Sequence, residues 1–201
     1  MGKILILNGS PRASKSNSKR YAAIFSKYCH SNTEYFPISK TNHIALSSKM
    51  EQFSDVLFVF PLYADGLPVT LLNFLKTLEK NPPERKPVIS VLINCGFFEY
   101  QQNDTAIQMM ELFCKQNGYA FGSVLKIGSG EAILDTPFRR LVSLKIKKLA
   151  ASIQEKKHQT LKITMPISKK TFVKASTKYW INYGSKNGIT KEEMDTMKIE
   201  G

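Results

Sequence analysis

The chain holds no apolar run near the ~20 residues that a membrane-spanning helix needs. Its three cysteines, Cys29, Cys95 and Cys114, are odd in number and widely spaced, and they form no CxxC pair. That argues against a disulfide framework, a structural zinc site and a cysteine-ligated iron–sulfur cluster. His30, His43 and His158 lack ligand spacing and read as surface residues. Two common nucleotide signatures, GxxxxGK[ST] and GxGxxG, are both missing. The apolar stretch at 3–7 is too short for a signal-peptide core, and a small-polar loop follows it at once. Together these gaps lead us to expect a cytoplasmic protein without membrane insertion or metal.

Acidic residues are also scarce, 16 against 29 Lys and Arg, which leaves a formal net charge of +13. The imbalance is uneven. Residues 1–138 carry 14 basic and 11 acidic side chains, whereas residues 139–201 carry 15 and 5. Such a basic C-terminal third suits a solvated helix face and tail, or attraction to nucleic acid, anionic lipid or an anionic cofactor.

What is present is an alternation of apolar runs and helical patterns. Strands are expected at 3–7, 33–38, 55–63, 86–94 and 120–128, and helices at 16–29, 44–53, 68–79, 103–118 and 137–157. Pro68 stands at a favourable first-turn position and Gly118 at a favourable stop. Strand–helix alternation argues for an α/β domain with a five-stranded parallel sheet and helices on both faces. The nearly uniform apolar runs at 55–61 and 88–93 fit strands covered on both sides. The domain is expected over 1–157. A basic extension over 158–201, holding the only Trp, is expected to pack on the domain or on a dimer partner.

Ligands of open α/β sheets bind beyond the carboxyl ends of the strands, so the loops there decide function. In "NGSPRASKSNS" (8–18), Ser10, Ser16, Asn17 and Ser18 are small donors near a helix start, and Arg12 adds a charged fork. Phosphate wants that combination; helix capping alone is the plainer reading. In "FPLYADGLPVTLLNFL" (60–75), Pro61, Leu62, Tyr63, Ala64 and Asp65 offer a stiff, partly aromatic wall suited to a planar ring. Asp65 reads as a loop or capping residue rather than a catalytic one. In "NCGFFEYQQND" (94–104), Asn94 supplies an amide, Gly96 permits close approach, and Phe97 covers a ring or a partner. Cys95 has no basic activator nearby in sequence and reads as structural. "GSGEAILDTP" (128–137) is able to line the same cleft, with a weaker signal.

Taken together, "LNGSPRASKSNS", "PLYADGLPVTLLNFL" and "NCGFFEYQQNDTAI" resemble the NADPH-dependent FMN reductase branch of the flavodoxin-like superfamily, over about residues 1–155. The resemblance implies a three-layer flavodoxin-like fold, noncovalent FMN and a homodimer. It implies that Ser10, Arg12, Ser16, Asn17 and Ser18 hold the phosphate, that Pro61, Leu62, Tyr63, Ala64 and Asp65 border the isoalloxazine, and that Asn94, Cys95, Gly96 and Phe97 close its other edge. The cysteine cluster of related iron–sulfur flavoproteins is absent.

The expected activity is FMN-dependent NAD(P)H oxidation with a small acceptor such as a quinone or flavin, and no catalytic side chain is assigned. The alternative is an FMN-binding electron carrier or sensor with little turnover. A nucleic-acid module built on residues 139–201 is a third reading. No known nucleic-acid motif supports it, so the expected partners do not include nucleic acid.

Overall fold

The computed structural model describes residues 2–12 and 15–196. Residues 13 and 14 of the first loop and the last five residues of the extension lie outside them. Contacts divide the chain into two units, residues 1–165 and 166–201.

The first unit is built on a parallel sheet of β1 (Ile4–Asn8), β2 (Thr33–Pro37), β3 (Asp55–Pro61), β4 (Val88–Asn94), β5 (Phe121–Ile127) and β6 (Thr160–Ile163), in the order β2-β1-β3-β4-β5-β6. Six strands, not five, is a correction to the sequence reading. The sixth is short and sits at the sheet edge, in a stretch whose Lys and His residues look like tail. It pairs Val124 with Thr160 through Ile127 with Ile163, and it alternates half-buried Leu161 and Ile163 with exposed Thr160 and Lys162. A Lys projecting from an edge strand discourages further strand addition.

The central strands are apolar because both faces are covered. Val56, Phe58, Phe60, Ile89, Val91 and Ile93 share one cluster with α2 (His43–Met50), α3 (Val69–Lys80) and α4 (Asp104–Gln116). Alternation sends Ile4, Ile6, Leu57, Val59 and Leu92 to the other face, where α1 (Asn17–Tyr28) packs beside α5 (Arg139–Gln154). Each helix buries one stripe at helical spacing: Ser18, Tyr21, Ala22 and Phe25 in α1, and Val142, Ile146, Leu149 and Ile153 in α5. A fully buried Leu, Ile or Phe contributes about 1.5–3 kcal/mol, so each stripe outweighs the helix propensities it overrides. Gly118, at φ +67°, ends α4 in the left-handed conformation glycine adopts freely. Pro68 stands one residue before the first helical residue of α3.

In the second unit, α6 (Lys169–Lys186) begins at Ser168, whose side chain accepts the Thr171 N–H, and α7 (Lys191–Thr196) follows. Gly184 of α6 lies against Met194 of α7; a Cβ there would stand 2.7 Å from the Met194 sulfur.

Candidate functional site

Sheet register brings the loops together. Asn8 pairs with Val59, Pro61 with Asn94, and Asn94 with Ile127, so β1, β3, β4 and β5 end close to one level. The chain leaves β1 for β2 on one side and returns to β3 on the other. Open α/β sheets take their ligands at such a reversal, here beyond the carboxyl ends of β1 and β3.

Asn8 organises the first wall. Its amide nitrogen donates to Ser16 Oγ at 3.3 Å and to the Tyr35 hydroxyl at 2.9 Å, and its Oδ1 accepts the Ser10 N–H at 2.9 Å. Ser10 Oγ then accepts the Arg12 N–H, while Ser16 Oγ caps α1 by accepting the Lys19 N–H at 3.2 Å. Ser10, Ser16 and Ser18 are all buried. In these contacts the Ser10 and Ser16 hydroxyl oxygens accept, which shapes the turn; a hydroxyl that accepts can also donate. Further groups suited to an anion are the Asn17 and Ser18 backbone N–H groups, which as the first two of a helix have no carbonyl within it, together with the helix dipole and the exposed Arg12.

The second wall is a tight hairpin. Tyr63 and Gly66 exchange backbone hydrogen bonds of 3.1 and 3.0 Å. Between them Ala64 and Asp65 stand at φ 45° and 55°, both positive, as a type I′ turn requires. Asp tolerates this region; Ala does so at a cost of roughly 1–2 kcal/mol. Pro61 and Leu62 are half-buried and the Leu62 N–H donates to the Asn94 carbonyl, while the Tyr63 side chain stays 60% exposed.

The third wall follows β4. Asn94 is buried and donates to the Phe60 carbonyl at 3.2 Å and to Ser18 Oγ at 3.4 Å, which ties β4 to β3 and to α1. Its side chain fastens the walls together. The Cys95 thiol sits beneath, in contact with the Asn103 amide, and burial pushes its pKa up to about 11. A thiol held protonated is not a nucleophile, in keeping with the structural role expected of it. Gly96 is exposed, and the atoms nearest to a Cβ there would be those of the Glu131 side chain, at 3.5 Å. Phe97 is 52% exposed.

Sequence reasoning gave the fourth loop little weight, yet it closes the arrangement. Gly130 donates to the Cys95 carbonyl at 2.6 Å, and a Cβ on it would lie 2.7 Å from the Asn94 Cβ. Three residues of α1 reach across to this loop. The buried Tyr21 hydroxyl donates to the Gly130 carbonyl at 2.7 Å, Asn17 donates to the Glu131 carbonyl at 3.1 Å, and Arg20 forms a two-pronged ion pair with Asp135. Burial raises the Tyr21 pKa. The Arg20 hydrogen bonds hold the Asp135 carboxyl below its usual range. Tyr21 is readable as a core position from its spacing; its partner, 109 residues away, leaves no local signal. No group of three or more His, Cys, Asp or Glu suited to a metal occurs among the described residues.

A sheet in the order 2-1-3-4-5 with a sixth edge strand, helices on both faces and a reversal of strand order between β1 and β3 defines a flavodoxin-like α/β fold. Solved structures share it. An FMN-dependent NADH-azoreductase from Bacillus anthracis, solved in complex with FMN, superposes with TM-score 0.55 at 13% identity, covering 76% of this chain and 99% of that one. An NAD(P)H:quinone oxidoreductase from Methanothermobacter marburgensis gives 0.58 at 12%, covering 76% and 97%. A Streptococcus pneumonia flavodoxin gives 0.56 at 12%, covering 77% and 99%. No family model matches the chain, and neither does any curated protein.

Proposed function

We propose that the first unit binds FMN without a covalent bond at the β1/β3 reversal and serves as an NAD(P)H-dependent oxidoreductase for a small acceptor such as a quinone or flavin. The observation that carries this reading is the α1 N-terminus: two amides without helical acceptors, beside Arg12, at the switch point of a flavodoxin-like sheet. Gly96, with space above its Cα and Glu131 as its nearest neighbour, is the complementary fit at the ring end. Solved relatives by fold that bind FMN or act on quinones support it further.

A flavin bound here would supply hydride acceptance from a nicotinamide and onward electron transfer. The residues of this chain do the holding. Ser10, Arg12, Ser16, Asn17 and Ser18 would take the phosphate, the last two also through their backbone amides, and Asn8 keeps that turn in shape. Pro61, Leu62, Tyr63, Ala64 and Asp65 border one edge of the ring, and the Asn94, Cys95, Gly96 and Phe97 segment borders the other. The Asn94 and Cys95 side chains are buried and hydrogen-bonded within the protein, and would support that segment. The protein works as a homodimer in the cytoplasm on this reading, and no side chain is assigned a proton-transfer role.

Titration with FMN tests the proposal. Stoichiometric binding with quenched flavin fluorescence is expected, weakened at least about tenfold in Arg12→Ala, the loss of one charge-assisted contact. Riboflavin, which has no phosphate, should bind equally to both proteins. Absence of binding at micromolar FMN would overturn the reading. Full FMN occupancy with slow NAD(P)H oxidation against every acceptor would leave an electron carrier instead.

A further inference from the structure

The second unit carries a surface that the first does not explain. α6 spans 18 residues and contains Lys169, Lys170, Lys174, Lys178 and Lys186 with no acidic residue. At ~100° per residue, Lys170, Lys174 and Lys178 follow one another at four-residue spacing along one face. Phe172, Tyr179, Trp180 and Tyr183 fall on the other side of the helix, Val173 lies at the boundary, and Lys169 stands beside the aromatic side at the first turn. Tyr179, Trp180 and Tyr183 pack on one another, with centroids 5.2 Å apart for Tyr179–Trp180, 6.3 Å for Tyr179–Tyr183 and 5.9 Å for Trp180–Tyr183, and all three stay about half or more exposed.

We propose that α6 lies flat on an anionic phospholipid bilayer, with its aromatic face in the headgroup region and its lysines engaging acidic headgroups. A row of three lysines opposite Phe, Tyr and Trp side chains, with Lys169 and Lys186 at the two ends of the helix, matches the composition of an interfacial helix. Trp and Tyr prefer the boundary between water and hydrocarbon, where a ring is buried and a polar tip stays wet. The helix lies on the bilayer and does not cross it: among the described residues no helix is long and apolar enough to span.

Two other occupants fit less well. A second copy of α6 would bring five lysines against five, an unfavourable like-charge pairing. Single-stranded nucleic acid is held by a basic groove that tracks its backbone beside the stacking rings, and here the row Lys170, Lys174 and Lys178 lies on the far side of the helix from the rings. The inference is independent of FMN, since it concerns the second unit alone.

Trp180 is the only Trp in the chain, so its emission reports on this helix directly. The full-length protein is mixed with vesicles of phosphatidylcholine alone, or of phosphatidylcholine and phosphatidylglycerol at about 3:1. Co-sedimentation with the anionic vesicles, a blue-shifted Trp180 emission, and loss of both in high salt are expected. Lys170→Glu/Lys174→Glu/Lys178→Glu should lower partitioning by about 100-fold or more, from roughly fivefold per lysine near such a surface. Trp180→Ala should lower it roughly tenfold, the loss of one large buried side chain. Circular dichroism verifies that each variant is folded, and the triple variant keeps the test valid if Trp180→Ala is not. The proposal is overturned by equal binding to both vesicle types or by none. It is overturned equally if Trp180 is already shielded from acrylamide in a vesicle-free dimer, or if poly(U) binds and shifts Trp180 emission while anionic vesicles do not.

Discussion

Two glycines on facing loops should respond in opposite ways to one added methyl group. In Gly130→Ala the new Cβ arrives 2.7 Å from the Asn94 Cβ and 3.1 Å from the Cys95 carbonyl oxygen. Carbon atoms pack at about 3.5–4.0 Å, so the fourth loop must retreat by roughly 1 Å. That retreat strains the Gly130–Cys95 and Tyr21–Gly130 hydrogen bonds. Overpacking costs about 1–3 kcal/mol, and two weakened hydrogen bonds add about 0.5–1.5 kcal/mol each. The expected loss is about 2–6 kcal/mol, at about 2–4 °C in Tm per kcal/mol for a domain of this size. In Gly96→Ala the nearest group is the Glu131 side chain at 3.5 Å, an ordinary contact with a flexible chain. Stability should hold or rise by about 0.4–1 kcal/mol, because the unfolded chain loses freedom. FMN affinity, however, should fall at least tenfold if the ring lies over Gly96. Urea denaturation and FMN titration of both variants read the two effects separately. A neutral Gly130→Ala, or a Gly96→Ala that destabilises the FMN-free protein by more than about 1 kcal/mol, would refute the reasoning about which loop is tight and which is open.

Three further outcomes are expected. Tyr21→Phe deletes the donor to the Gly130 carbonyl and should cost about 1–3 kcal/mol, the penalty for leaving a buried acceptor unpaired; chemical denaturation measures it. Ala64→Gly relieves the left-handed strain and should stabilise by about 0.5–1 kcal/mol once the added freedom of the unfolded chain is subtracted, raising Tm by a few degrees. Asp135 titrates below its usual value because of Arg20, so its contribution is present at neutral pH and disappears as pH falls below about 3.8. The pair is exposed, and the effect should not exceed about 1 kcal/mol: the wild type's lead over Asp135→Asn in denaturation should shrink from pH 7 to pH 3.5.

The elements most legible in the sequence are those whose side chains are decided by burial. "DVLFVFP" and "VISVLIN" announce strands covered on both faces, and the stripe through Tyr21, Ala22 and Phe25 announces α1. β6 escaped notice because an edge strand buries only one face, so Leu161 and Ile163 carry the whole signal among charged neighbours. At the site, the small residues of 8–18 and the glycine at 96 were readable as room for a ligand. What was not readable is which hydrogen bonds the donors already make. Ser10, Ser16, Ser18 and Asn94 look like ligand groups by type, and each also makes a hydrogen bond within the fold that its type does not announce. Gly130, Arg20 and Asp135 act through partners more than thirty residues away, and no local pattern encodes such a partner.

The first two turns of α1 serve two masters. Asn17 is the first residue of the helix, where a backbone N–H has no helical acceptor, while its side chain grips the Glu131 carbonyl, and Arg20 and Tyr21 hold the same loop within four residues. Whatever docks at the head of this helix is thereby mechanically joined to the far rim of the site. A phosphate settling on those amides would steady the rim by the same stroke, so a mononucleotide would meet a firmer pocket than its dephosphorylated form.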